Sequence, residues 1–174
     1  NAPYYNKVRQ MRVLKALLFA GGPIQKEWVE GFDVIFVESE INKNEFAEIG
    51  YDTITAFGVN EKVMKPIELE KKWDGIIQAT FADWKRHRLF AEALGSKGLA
   101  VGRKQDSDMD GYNECIKYDV EIMSEQPAEI VARLINQSHV VVNTAEYWGG
   151  GQRASIEGIA CGVPIIVMDD SPKN

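Results

Sequence analysis

Long apolar runs, paired cysteines and histidines are what this sequence is short of. No stretch of its 174 residues approaches the roughly 20 apolar residues of a membrane span. No segment has the pattern of a secretory signal peptide. The two cysteines, Cys115 and Cys161, form no metal or redox motif. Cys161 is expected to pack at a helix end, and reduced thiols in a cytoplasmic protein are the simplest reading. The two histidines, His87 and His139, are not spaced as metal ligands, and neither a P-loop nor a nucleophile elbow is present. A net charge of −6 speaks against a nucleic-acid-binding surface.

What is there suits an ordinary globular protein, with 45% hydrophobic and 26% charged residues. Val8, Met11, Leu14 and Leu18 recur at helical spacing, which predicts an amphipathic helix over residues 5–19. Strand-like DVIFV (33–37) follows, then a helix over 41–49 stopped by Gly50, and a strand over 53–57. Residues 58–72 are charged and interrupted by Pro66, and read as a linker.

Beyond them strands are expected at 75–79, 99–101, 119–122, 139–144 and 165–168. Helices are expected at 84–94, 127–136 and 155–161, with a polar loop at 103–111. This alternation predicts an α/β fold, a Rossmann-like parallel sheet with helices on both faces. The chain starts without Met and ends soon after a strand, as a piece of something longer would.

The densest signal is NTAEYWGGGQRASIEGIACGVPIIVM, from Asn143 to Met168. It reads as strand, glycine loop, helix and strand, with Gly162 and Pro164 ending the helix. Gly149, Gly150 and Gly151 let backbone approach a ligand closely. The helix behind them offers unpaired N–H groups to an anion. A tight turn made only for packing is the other reading of the same glycines.

The string IEGIACGVPIIV resembles the donor-binding motif of the large retaining glycosyltransferases built from two Rossmann-like domains (GT-B type, family 4-like). FDVIFVESEINKNEFAEIGYDTITAFGVNEKVMKP is similar to the crossing between the two domains of that family. The resemblance runs from about residue 31 to 168. It implies a remnant of the N-terminal acceptor domain (1–57), an interdomain linker (58–72) and a nucleotide-sugar-binding domain (73–174). It further implies transfer of a sugar from a nucleoside diphosphate to a hydroxyl, with no metal or other cofactor. The acceptor, a glycan, lipid or protein, would be held by the missing domain. Location would be cytoplasmic, with peripheral membrane association of the whole enzyme left open.

The resemblance also assigns roles. Glu157 matches the Glu that holds the ribose hydroxyls, and Lys85 the Lys that binds the donor diphosphate. Five residues before that Lys, relatives carry an Arg; here it is Thr80, which brings no charge. Arg86, Arg88 and Arg153 are the candidates to supply the missing charge. Gly150 matches the loop Gly facing sugar or phosphate, with Gly149 and Gly151 beside it. The family's first Glu would fall at Gly149, so Glu146, three residues earlier, either takes that role or is an exposed loop residue.

Without the resemblance, Lys85-Arg86-His87-Arg88 is the solvated start of a helix, and His139 is structural. Asp106-Ser107-Asp108-Met109-Asp110-Gly111 opens like a calcium loop, but Lys117 stands where the bidentate Glu belongs, so it reads as a polar turn. Trp73, Trp84 and Trp148 read as packing or linker residues, with Trp148 also the one aromatic placed to lie beside a sugar. The rival functions are a non-catalytic nucleotide-binding module on a degenerate transferase scaffold and an epimerase of the same architecture.

Overall fold

The computed structural model describes residues 7, 8, 10–20, 24–104, 109–146 and 153–168. The chain divides into two compact units, one up to Phe57 and one from Gly58 onward.

The first unit is a three-stranded parallel sheet of β1 (Ala16–Phe19), β2 (Val34–Val37) and β3 (Ile54–Thr55), in that order. A helical turn, α1 (Lys26–Val29), and the helix α2 (Glu40–Glu48) accompany it. Ser39 caps α2, its hydroxyl accepting from the Asn42 N–H at 3.2 Å. Gly50, at φ 86, ends the turn beyond.

The helix expected over 5–19 is wrong where it meets β1. Leu14, Leu17 and Leu18 suit a helical stripe and a strand equally. Pairing with β2 selects the strand, whose alternation packs Leu17 and Phe19 onto Val29, Ile35, Val37 and Phe46 and leaves Leu18 outside. The strand expected over 53–57 is reduced to two residues, and α1 was not foreseen.

The second unit is a five-stranded parallel sheet in the order β6-β5-β4-β7-β8. The strands are β4 (Trp73–Gln78), β5 (Gly98–Gly102), β6 (Glu121–Ser124), β7 (Ser138–Asn143) and β8 (Ile165–Val167). The helices are α3 (His87–Leu94), α4 (Asp110–Lys117), α5 (Ala128–Asn136) and α6 (Arg153–Ala160).

Adjacent residues on the strands feed two cores, as a sheet covered on both faces requires. Ile76, Leu99, Val101 and Val141 pack with Ala132 and Ile135 of α5 and with Cys161 beyond α6. Ile77, Ala100 and Val142 pack with Phe90 and Ala91 of α3 and Cys115 of α4. Gly158 brings α6 onto the sheet: a Cβ there would lie 2.9 Å from Ile165 Cγ2 and 3.0 Å from Val141 Cγ2. Cys161 is buried as expected, and both cysteines are free thiols.

The 58–72 stretch is packed on this second unit. Met64 is buried in the α5-side core. Asn136 clamps the stretch, its Oδ1 accepting from the Ile67 N–H at 2.8 Å and its Nδ2 donating to the Lys65 carbonyl at 3.0 Å.

Four local expectations need correction. The helix expected over 84–94 is a 3₁₀ turn (Asp83–Lys85), a left-handed Arg86 and then α3. His87 is buried rather than solvated, stacked on Phe81 at 4.8 Å. Gly111 permits this, because a Cβ there would sit 2.9 Å from His87 Nδ1. His139 is exposed, since Ser138 takes the inward place and donates its hydroxyl to the Leu134 carbonyl at 2.9 Å. The expected loop over 103–111 ends early, as α4 begins at Asp110. No described helix is long and apolar enough to cross a membrane.

Candidate functional site

Strand order decides where a ligand fits. β4 sits in the middle of its sheet; the chain builds β5 and β6 on one side of it, then returns to place β7 and β8 on the other. Open parallel sheets bind ligands beyond the carboxyl ends of the strands at such a reversal. Two adjoining cavities lie there. A larger one of ≈ 300 Å³ is lined by Thr80, Gly102, Arg103, Gln126, Arg153 and Glu157, among others. A smaller one of ≈ 100 Å³ lies between the ends of β4 and β7 and is lined by Lys85, Asn143, Thr144 and Arg153. Gln78, Ala79 and Arg153 line both.

The backbone around these cavities is tightly placed. A Cβ on Gly102 would fall 1.7 Å from the Ala79 carbonyl oxygen, so only glycine lets the β4 and β5 ends meet here. Asn143 donates its Nδ2 to Ser155 Oγ at 3.0 Å and accepts the Ala145 N–H at 3.2 Å, tying the end of β7 to α6.

Across the reversal, Glu146 N–H donates to the Trp84 carbonyl at 2.9 Å. Thr144 Oγ1 donates to the Lys85 carbonyl at 2.6 Å. The Arg86 guanidinium donates to the carbonyls of Thr144 at 2.6 Å and Ala145 at 3.1 Å. Arg86 stands at φ 50, ψ 44, a left-handed conformation that costs a non-glycine residue about 1–2 kcal/mol. Hydrogen bonds from a charged group contribute about 1.5–3 kcal/mol each, enough to hold it there.

The charges of the site respond to burial. The Lys85 ammonium is pulled from 10.5 to about 8, because its surroundings penalise the charged form. Its Nζ rests 4.1 Å from the centroid of the exposed Trp84 ring. Burial raises the Glu157 carboxyl above its ordinary range, and Arg153, one turn earlier on α6, opposes the rise. A cation beside a half-buried carboxylate suits a ligand that carries both hydroxyls and an anion.

Of the residues named from the sequence, Thr80, Arg153 and Glu157 line one cavity, and Lys85 and Arg153 the other. Glu146 is exposed at the last described position before the glycine loop. Gly149, Gly150 and Gly151 lie outside the described residues, as do Trp148 and the calcium-like 106–108. Arg88 pairs with Glu92 at 2.7 Å on the outside of α3, and Arg86 is bound to the β7-loop carbonyls. Of the three arginines considered beside Thr80, Arg153 is the one that lines these cavities. Among the described residues, no group of three or more His, Cys, Asp or Glu is arranged to hold a metal ion.

Sequence reasoning missed Arg103, which follows β5, and Gln126, which follows β6. Arg103 is the first residue after β5 and Gln126 the second after β6, and inspecting the loops at every carboxyl end of the parallel strands would have found them.

No family model matches the chain, and no curated protein matches it. Solved structures do. HepE of Anabaena, in complex with UDP and glucose, shares 14% identity at a TM-score of 0.68, over 83% of this chain and 47% of that one. Sucrose-phosphate synthase from Thermosynechococcus elongatus shares 20% at 0.65, over 84% and 43%. AviGT4, a glycosyltransferase involved in avilamycin A biosynthesis, shares 15% at 0.66, over 98% and 59%. This chain thus spans about half the length of the structures it matches. By its parallel sheets and these likenesses, it has the Rossmann-like fold of the GT-B glycosyltransferases.

Proposed function

We propose that this chain is the nucleotide-sugar-binding part of a retaining glycosyltransferase, which passes a sugar from a nucleoside diphosphate to an acceptor hydroxyl. The observation that carries the reading is the meeting of Lys85, Arg153 and Glu157 at two adjoining cavities at the strand reversal. Glu157 accepts hydrogen bonds from the ribose hydroxyls. Lys85, with Arg153 in place of the charge absent at Thr80, faces the diphosphate together with the amides of Gly149–Gly151. A departing nucleoside diphosphate gains negative charge, and fixed cations lower the barrier by stabilising it. Glu146 stands beside the donor sugar, and the rest of the enzyme holds the glycan, lipid or protein acceptor. The reaction takes place in the cytoplasm, with no metal or cofactor. In the whole enzyme residues 58–72 lead from the acceptor domain to the donor domain.

The structures of HepE in complex with UDP and with UDP-glucose make a uridine nucleotide the first ligand to try. Calorimetry with UDP, GDP and ADP tests the site, and one of them is expected to bind. Transfer and donor hydrolysis by the intact protein, with and without acceptor, test the activity; the product's anomeric configuration tests retention. Thr80 favours one rival, a non-catalytic nucleotide-binding module. Diphosphate binding without transfer or hydrolysis selects it.

A further inference from the structure

Arg86 lines neither cavity at the strand reversal, yet it binds the two loops that do. We propose that Arg86 is a positioning residue for the diphosphate: its guanidinium latches the loop after β4 to the loop after β7 and so fixes the backbone from which Lys85 reaches the site. The inference rests on the donor-site reading above.

Three consecutive residues are pinned to three others. The Trp84 carbonyl accepts the Glu146 N–H, the Lys85 carbonyl accepts the Thr144 hydroxyl, and the Arg86 side chain donates to the carbonyls of Thr144 and Ala145. Lys85 is therefore held through its own carbonyl and through both sequence neighbours. A lysine side chain is long and flexible, and a fixed backbone limits where its ammonium can go. Placing a charge in advance removes an ordering cost from binding and from the reaction.

The backbone of Arg86 supports the same conclusion. At φ 50 a glycine is unstrained and an arginine is not. A bulky residue kept in such a conformation next to a site is an outlier that calls for a role. The two carbonyl bonds supply it, and they end on the loop that leads into Glu146. The latch thus orders both walls of the smaller cavity while leaving Glu157 and Thr80, on the larger one, untouched.

Arg86→Gly separates latch from strain, because it relieves the left-handed conformation while removing the guanidinium. The probes are UDP with uridine, GDP with guanosine and ADP with adenosine, using whichever pair the wild-type chain binds. In Arg86→Gly, affinity for the diphosphate is expected to fall at least tenfold and affinity for the nucleoside to stay unchanged. The melting temperature is expected to fall, because the two lost hydrogen bonds outweigh the strain relieved, and the Glu146 amide to exchange its hydrogen faster. Arg86→Lys, which keeps one donor, is expected to recover part of the diphosphate affinity. Equal losses for diphosphate and nucleoside, or no loss for either, overturn the positioning role while the donor reading stands. A wild-type chain that binds none of the six probes overturns both.

Discussion

In the unit that begins at Gly58, neighbouring strand residues enter different cores. Ile76 faces α5 and α6 while Ile77 faces α3 and α4, and Val141 and Val142 divide in the same way. In the unit that ends at Phe57, among the described residues, one of the two alternating sets is the better covered. Leu17, Ile35 and Val37 pack on Val29 and Phe46. On the other face Leu18, Phe36 and Ile54 are in register across the sheet, with Leu18 59% and Ile54 54% exposed. The carboxyl ends differ likewise. After β2, Ser39 is occupied in capping α2; after β4 and β7, side chains line cavities. In the unit packed on both faces, the residues beyond the strand ends line cavities.

The largest expected effect tests the packing half of that contrast. Ile135→Ala removes a fully buried side chain and should cost about 2–5 kcal/mol of stability in urea unfolding. Leu18→Ser should stay within about 0.5 kcal/mol of the parent. Similar losses from both would show that the Leu18 face is covered after all, and the comparison would break.

The next effect sharpens the contrast between strand ends. Glu157→Ala should weaken nucleoside diphosphate binding by about 1.5–3 kcal/mol in calorimetry, the range for hydrogen bonds to a charged group. Ser39→Ala should instead cost about 1 kcal/mol of stability through its lost cap and leave binding alone. Unchanged affinity in the Glu157 variant would remove its ribose role.

A smaller effect follows from the Lys85 ammonium at about 8. An unfolded lysine titrates near 10.4, so between these values the unfolded chain holds more protons. Stability should therefore rise with pH across that window and, for this group, be flat below it. Diphosphate affinity should move the other way. The bound anion favours the charged lysine, so binding takes up a proton and weakens as pH rises above about 8. Lys85→Met should abolish this slope; a slope that survives would place the titrating group elsewhere. The smallest change is expected from Arg88→Ala. Its partner Glu92 lies on an outer helix face, and melting temperature and diphosphate affinity should both stay at parental values.

Much of this was legible in the chain, for local reasons. A β-branched run, Gly162 at φ 70 and Pro164 mark β7, the end of α6 and β8 without reference to anything distant. The Leu14–Leu18 segment was not legible, because its apolar residues fit both periods and only β2 decides between them. Glu157 could be named because it lies inside a local motif, and the structure places it on a cavity. The Arg86 latch could not, because its partners are 58 and 59 residues away and nothing beside Arg86 announces them. The buried place of His87 was hidden for the same reason: it depends on Phe81 and Gly111 arriving from either side.

The central place of β4 also bears on how the protein is made. During synthesis β5 can pair with one edge of β4 soon after it emerges. The other edge waits for β7, which starts only at Ser138. At ribosomal rates of about 5–20 residues per second, that edge stays unpaired for several seconds, with Ile76 and Ile77 beside it. An open apolar strand edge is a template for pairing with other chains. The same strand order that opens a crevice for a ligand in the finished protein leaves the nascent one with an unpaired apolar edge.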